Sequence, residues 1–266
     1  LLVFIGLGLS VKHLTIEAIK YLNIVDKIIV DTYTGITEGF DQEFIKLIGR
    51  AKEIVFASRS DLEGEAINKL VEEARHKNIA ILVSGDPFIA TTHDAIRVEA
   101  LRRGVKVVVV NGLTIYSLAV SRTGLQVYRF GKTVTLVYPN YFKPYSTIET
   151  IYDNLGRNLH TLVLLDFRRD ENKYMSIPEA IDILLDLDEK NILANVVGVG
   201  LARIGFNDEY IVADKLAHLR NKEYPKPPHA IIVVAKPHPI ELDNLRFLCK
   251  LPKEVYEEIA SKKTYP

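Results

Sequence analysis

The sequence predicts an α/β protein built of two α/β domains, the first a largely parallel sheet with helices on both faces. Short β-branched runs alternate with helical periods through the first half of the chain. Those runs are continuously apolar, the mark of strands covered on both faces rather than one. At 266 residues the chain has the length of two ordinary domains or one large one.

The elements follow in order. Leu1-Leu2-Val3-Phe4-Ile5 reads as a buried strand ending at Gly6, and residues 14–22 as a helix with Ile16, Ile19 and Leu22 on one face. Lys27-Ile28-Ile29-Val30 and Glu53-Ile54-Val55-Phe56 are the second and third strands. Residues 61–77 read as one helix, because Ile67, Leu70, Val71 and Ala74 keep the i, i+3, i+4, i+7 spacing. Residues 79–83 are the fourth strand and run into Ser84-Gly85-Asp86-Pro87. Residues 92–103 form a helix stopped by Gly104, and residues 105–110 the fifth strand, ending at Asn111-Gly112.

In the second half, residues 133–138, 161–167, 196–199, 210–212 and 230–234 are strand-like. Ser176-Ile177-Pro178-Glu179 is a capping box with an early proline, opening a helix through Ile183, Leu184 and Leu187. Residues 239–250 and 253–262 read as closing helices. The join falls in the Gly-, Ser- and Thr-rich stretch 111–124, giving domains 1–112 and 113–266.

Apolar residues at 48% and charged residues at 26% exclude a disordered, collagen-like or coiled-coil chain. The 34 basic and 34 acidic side chains cancel, so no global field draws the chain to nucleic acid or acidic lipid. With Cys249 as the one cysteine, no internal disulfide is available, and a reducing, cytoplasmic location is expected. Cys249 itself reads as buried filler in an amphipathic helix. Residues 1–9 lack a basic leader and a cleavage pattern, so no signal peptide is read, and no apolar run spans a bilayer. The chain begins without Met, which is read as a trimmed or undisplayed start.

Three strand-end loops carry the chemistry. Gly6-Leu7-Gly8 joins a strand to a helix, where glycines let backbone approach a ligand. The third glycine of a dinucleotide fingerprint is replaced by Val11, although Asp31 stands where a ribose-binding acid would. Ser84-Gly85-Asp86-Pro87 is a polar turn continued by the small and polar Ala90-Thr91-Thr92-His93. Thr114-Ile115-Tyr116-Ser117 is the third loop. Strand ends of one parallel sheet point the same way, so the three make one crevice. Each loop alone is an ordinary turn, His93 alone a helix-start residue, and the 168–171 cluster a solvated loop. The histidines show no metal-ligand spacing, and no metal site is expected.

Phe4-Ile5-Gly6-Leu7-Gly8-Leu9, Gly85-Asp86-Pro87-Phe88-Ile89-Ala90-Thr91-Thr92-His93, Thr114-Ile115-Tyr116-Ser117, the stretch from His160 to Asp166, and Pro227-Pro228-His229 stand in order along nearly the whole chain. Together they resemble the diphthine synthase branch of the tetrapyrrole-methylase-like, class III methyltransferases. Gly-Asp-Pro alone fits the whole superfamily; Ala-Thr-Thr-His and Thr-Ile-Tyr-Ser separate this branch from the porphyrin methylases. One departure stands out: Ser10 is followed directly by Val11-Lys12-His13, where family members usually carry one more residue.

The resemblance implies two α/β domains with S-adenosylmethionine folded in the cleft between them, S-adenosylhomocysteine as product, and a homodimer. It implies trimethylation of a modified histidine on translation elongation factor 2, with no direct nucleic-acid or membrane partner. Carried over residue by residue, the cofactor positions are Leu9, Asp86, Ile89, Thr114, Ile115, Leu165, Leu201, Ala202 and His229. No catalytic residue is implied firmly; Asp86, Asp166 and Tyr116 are the candidates, with Tyr33 and Tyr116 for positioning the acceptor. Methyl transfer from a sulfonium to an amine needs alignment and water exclusion more than a nucleophile or metal. The rivals are a corrin or porphyrin precursor methyltransferase, an NAD(P)-dependent oxidoreductase and a non-catalytic cofactor-binding protein. A corrin or porphyrin acceptor would call for a strongly basic cleft, and the glycine loops carry no Arg/Lys cluster.

Overall fold

The computed structural model describes residues 1–48, 53–140, 142–169 and 171–261. The chain divides into two compact units, Leu1–Ile115 with Arg168–Asn172, and Tyr116–Phe167 with Lys173–Pro266.

The first unit is a five-stranded sheet of β1 (Leu2–Gly6), β2 (Lys27–Asp31), β3 (Glu53–Ala57), β4 (Ile79–Val83) and β5 (Val107–Val110). Their order is β3-β2-β4-β1-β5, and every pairing is parallel. Strands β1 and β4 are buried at every residue, as their unbroken apolar sequences require of central strands. Alternation divides them between two cores. Leu2, Phe4, Ile79 and Ile81 face the helices α3 (Arg59–Leu62), α4 (Ala66–Ala74) and α5 (Asp94–Arg102). Val3, Ile5, Ala80 and Leu82 face α1 (Ile16–Leu22) and α2 (Gln42–Ile48). Lys27 bridges Glu53 and Glu73 at 2.9 and 3.0 Å where β2 and β3 begin. Charge there supports stability and leaves the opposite end of the sheet to the loops.

The second unit opens on α6 (Ile115–Thr123), whose first residue closes the first unit. Its elements are β6 (Val134–Leu136), α7 (Tyr145–Gly156), β7 (Thr161–Leu165), the short ribbon strands β8 (Phe167–Arg168) and β9 (Lys173–Tyr174), α8 (Ile177–Asp186), β10 (Val197–Ala202), β11 (Tyr210–Lys215), α9 (Leu216–Leu219), β12 (His229–Val233), α10 (Pro239–Phe247) and α11 (Lys253–Ser261). The main sheet runs β11-β10-β12-β7-β6, antiparallel except for β6 beside β7. Ile148, Ile151, Ile181, Leu184 and Leu216 from its helices pack on Val163, Ile231 and Val233.

The helix expected over 61–77 is two helices. Gly64 takes φ +62° and breaks the chain after Glu63, while Ser58 and Asp61 cap the short α3. A one-turn 3-10 helix, Val11–His13, precedes α1, so the helix itself starts at Ile16, with Thr15 capping Ala18 N–H. Strand β10 extends to Ala202, beyond the expected 199, and β11 to Lys215, beyond 212. Helix α10 stops at Phe247, which leaves Cys249 past its end, fully buried and with its thiol pushed up to about 12 by burial. Asp170 of the charged cluster and Lys262 of the last expected helix lie outside the described residues.

Candidate functional site

Parallel strands bring all their C-terminal ends to one edge, and in the first unit that edge is a junction of glycines. A Cβ on Gly6 would stand 2.5 Å from Gly112 N and 2.6 Å from Gly85 O, and one on Gly112 2.1 Å from Gly85 O. Three strands therefore meet backbone on backbone, which only glycine permits. Gly8 and Gly85 exchange hydrogen bonds, Gly8 N–H to Gly85 O at 3.1 Å and Gly85 N–H to Gly8 O at 2.9 Å. The Thr37 hydroxyl donates to Gly8 O at 2.9 Å and lies 3.0 Å from Ser84 Oγ, tying the loop after β2 to both.

Asp86 is buried and committed to this junction. One oxygen accepts Phe88 N–H at 2.9 Å; the other accepts Asn111 Nδ2 at 2.8 Å and Gly112 N–H at 3.3 Å. It joins the loop after β4 to the loop after β5. Ile89 is 45% exposed. Thr114 and Ile115 are half-buried at the start of α6, and Tyr116 is exposed. Leu9 is half-buried, its Cδ2 3.9 Å from the point where a Gly85 Cβ would stand. These first-unit positions thus gather on loops of one sheet edge.

Most N–H groups of the first loop are spent inside the protein. Leu7 N–H donates to Val83 O at 2.9 Å, Gly8 N–H to Gly85 O, Leu9 N–H to His13 Nδ1 at 3.2 Å and Val11 N–H to Glu38 O at 2.9 Å. A pyrophosphate needs such donors at a helix N-terminus. Asp31 is likewise occupied. One oxygen accepts Tyr33 N–H at 2.8 Å and Thr34 N–H at 3.1 Å, and the other accepts the Thr34 hydroxyl. It is no free ribose-binding acid, and the geometry opposes the dinucleotide reading.

Sequence reasoning missed what stands behind Asp31. His93 Nε2 lies 3.4 Å from Asp31 Oδ2, and both side chains are fully buried. His93 Nδ1 is 3.3 Å from Pro87 O. Burial pushes the imidazole below its usual range, against the opposing pull of Asp31. The helix-start residue is thus a buttress between β2 and the Gly-Asp-Pro loop. Nothing in the sequence signals this contact, because the two residues stand 62 apart in the chain (93 − 31).

In the second unit, β12 runs antiparallel between β7 and β10, so the ends of β7 and β10 and the start of β12 share one edge. His229 pairs with Ala202, and Ala230 with both Leu201 and Leu164. Leu165, Leu201 and Ala202 bury their side chains, and what they offer is backbone. His229 has both ring nitrogens engaged: Nδ1 accepts Ile177 N–H at 3.2 Å, and Nε2 donates to Pro225 O at 2.7 Å. That pattern fixes a neutral tautomer, and burial pushes its pKa down accordingly. Asp166 accepts Tyr138 N–H at 3.2 Å.

Strand-end glycine loops of a five-stranded parallel sheet are followed along the chain by a mostly antiparallel second unit. The chain belongs to the tetrapyrrole (corrin/porphyrin) methylase family, whose sequence model matches residues 1–220. Within it, the chain is 67% identical over 267 aligned residues to the diphthine synthase of Staphylothermus marinus, covering all of both chains. The diphthine synthase of Methanocaldococcus jannaschii is 39% identical over 259 residues, covering 94% of this chain and 99% of its own. A crystal structure of a diphthine synthase superposes with a TM-score of 0.87 at 34% identity, covering 96% of this chain and 98% of the other.

Proposed function

We propose that the chain is an S-adenosylmethionine-dependent N-methyltransferase that methylates the amino group of a 3-carboxy-3-aminopropyl-histidine on elongation factor 2, yielding diphthine. The observation that carries this reading is the full-length identity to diphthine synthase. It works in the cytoplasm as a homodimer, without direct contact to nucleic acid or membrane. Among the described residues, no helix is long and apolar enough to cross a membrane.

The first-unit edge suits this cofactor. A Cβ placed on Gly85 would meet the Leu9 side chain at 3.9 Å and Leu113 O at 4.0 Å. Leu9, Ile89 and Leu113 supply apolar surface, and no Lys or Arg stands among Leu9, Asp86, Ile89 and residues 113–115. Carbonyl oxygens and apolar side chains without cations favour a nucleoside sulfonium over a polyphosphate. When bound, S-adenosylmethionine supplies a methyl group already activated on sulfur.

In this reading Leu9, Ile89, Thr114 and Ile115 hold the nucleoside from the first unit. Asp86 acts by fixing Asn111 and Gly112 beside it. Leu165, Leu201 and Ala202 contribute backbone, and His229 its backbone or ring face, because its nitrogens are committed. Asp86 and Asp166 hold backbone N–H groups, which suits them to shaping loops rather than moving protons.

Calorimetric titration with S-adenosylmethionine, with NADPH alongside, followed by transfer to modified elongation factor 2, tests the reading. Micromolar binding of the former, worth about −8 kcal/mol, with none of the latter and methyl transfer to the factor, is expected. Folded protein that ignores S-adenosylmethionine, or binds it and leaves the modified factor unmethylated, refutes it.

A further inference from the structure

The edge that carries the glycine junction has a second half, over β2 and β3, that none of the proposed cofactor positions uses. There Glu63, at the end of α3, accepts the Thr92 hydroxyl at 2.7 Å and the Tyr33 hydroxyl at 3.4 Å. Arg59 Nε lies 4.0 Å from the same oxygen, and its guanidinium sits over the Tyr33 ring at 5.2 Å. The Glu63 side chain is 33% exposed and that of Arg59 66%, so both are open to a ligand. Thr92 belongs to the loop that carries Asp86 and Ile89, and Tyr33 follows the strand paired with β4.

Elimination sharpens the assignment. Of the carboxylates on this edge, Asp86 is spent on Phe88, Asn111 and Gly112, Asp31 on Tyr33 and Thr34, Glu38 accepts the Ser10 hydroxyl at 3.3 Å, and Asp61 caps Ser58 N–H. Glu63 is held by two hydroxyls and a loosely placed arginine. A carboxylate and a guanidinium side by side are the mirror of an amino acid's ammonium and carboxylate.

We propose that Glu63 and Arg59 form the acceptor-binding half of the site and receive an amino-acid group. Glu63 pairs with the ammonium and Arg59 with the neighbouring carboxylate. This rests on the proposed methyltransferase reading, and it assigns Glu63 as the catalytic residue that sequence reasoning sought at Asp86, Asp166 or Tyr116. Glu63 accepts a proton from the ammonium, leaving a neutral amine. The freed lone pair forms the N–C bond as the C–S bond of the methyl sulfonium breaks, and that bonding pair leaves on sulfur. The positive charge passes from sulfur to nitrogen, giving a methylammonium and a neutral thioether. Glu63 releases its proton to solvent after each transfer, and each methylammonium that keeps an N–H then gives up a proton to the carboxylate before the next one. A trimethylated nitrogen has none left, and the sequence stops. Tyr33 and Thr92 hold the carboxylate in place. Burial pushes the Tyr33 phenol up to about 12, so it remains a donor throughout the working range. The titratable groups facing Glu63 are Arg59 on α3, Tyr33 after β2 and His93 at the start of α5.

The test compares the parent with Glu63→Gln and Arg59→Gln, using S-adenosylmethionine and elongation factor 2 bearing the aminocarboxypropyl histidine. Glu63→Gln is expected to melt like the parent and bind S-adenosylmethionine within about twofold, yet transfer methyl about 100-fold more slowly at neutral pH. Its deficit shrinks as pH rises and more acceptor arrives as free amine, a response that loss of a merely structural contact would not give. Arg59→Gln is expected to raise KM for the factor about tenfold with little change in kcat. Transfer by Glu63→Gln within about threefold of the parent overturns the proposal. So does a loss of S-adenosylmethionine affinity equal to the loss of rate. A parent that neither binds the cofactor nor methylates the factor fails the methyltransferase reading itself, and this assignment falls with it.

Discussion

Gly6 shows how little room single residues leave at the junction. Its Cα faces backbone on two sides, so neither Gly112 N nor Gly85 O can swing aside as a flexible side chain would. Gly6→Ala is expected to cost about 1–3 kcal/mol by overpacking. It should also part the loops that carry Leu9 and Thr114. A thermal melt and an S-adenosylmethionine titration on the same sample check both, and an alanine variant with parental stability would mean the loops part freely. Glu241 makes the opposite case, a charge placed for stability alone. Its oxygens accept Gln126 N–H at 2.8 Å, His160 Nε2–H at 3.2 Å and His238 N–H at 2.8 Å, and Arg129 Nη1 forms an ion pair with it at 3.1 Å. Burial by itself would raise its pKa, but the bonds from His160, Gln126 and His238 outweigh that and hold it at about 2. A folded pKa below the ordinary 4.5 stabilises the fold fully above 4.5, and the contribution fades as pH falls toward 2. Urea unfolding at stepped pH should therefore show stability falling through that window. Glu241→Gln should lose about 3 kcal/mol at neutral pH and show a flatter acid limb. An acid limb unchanged by the substitution would remove Glu241 as its cause.

At the scale of elements, the strands of the first unit were legible because burial on both faces leaves a plain mark, an unbroken apolar run. The glycine and Gly-Asp-Pro loops were legible as loops, since glycine and proline state backbone geometry directly. Helices α2 and α7 were not. The β-branched Thr147, Ile148, Thr150 and Ile151 lower the helix propensity of α7, which is made stable by Ile148 and Ile151 entering the core. Strand β10 holds Gly198 inside the expected run 196–199 and Gly200 just past its expected end. They are glycines so that Leu216 and Tyr224 can pack against the strand, at 2.6 and 3.0 Å from where a Cβ would stand. The apolar period begins only at Ile67 and says nothing of the residues before it, so the break at Gly64 was missed, and with it the half-buried place of Glu63. The capping box of α8 was legible in full. Ser176 Oγ accepts Glu179 N–H at 3.4 Å, and a Glu179 oxygen accepts Ser176 N–H at 2.8 Å. Ser176→Ala is expected to cost about 1 kcal/mol, read as a lower urea midpoint at unchanged slope. An unchanged midpoint would mean that Pro178 and the packing of α8 fix its start without the cap.

At the scale of the molecule, the two units carry separate cores. The proposed cofactor positions draw on strand-end loops of the first unit and on the β7, β10 and β12 ends of the second. A ligand bound only to the folded state adds about 2.7 kcal/mol at a hundredfold excess over its Kd. Where that stabilisation appears depends on which backbone the ligand holds. If the assignment is right, S-adenosylmethionine slows hydrogen exchange in two separate places, at residues 84–90 and 111–115, and at residues 201–203 and 228–230. The unliganded protein sets the baseline at each, since amides already bonded within strands exchange slowly without ligand. The first-unit loops make the sharper reporter, because few of their amides belong to the sheet. Protection confined to them would strike Leu165, Leu201, Ala202 and His229 from the site. It would leave a cofactor held by the glycine junction alone. Protection at both places, lost at both in Gly6→Ala, would mean that one ligand binds the two units as a single cooperative body.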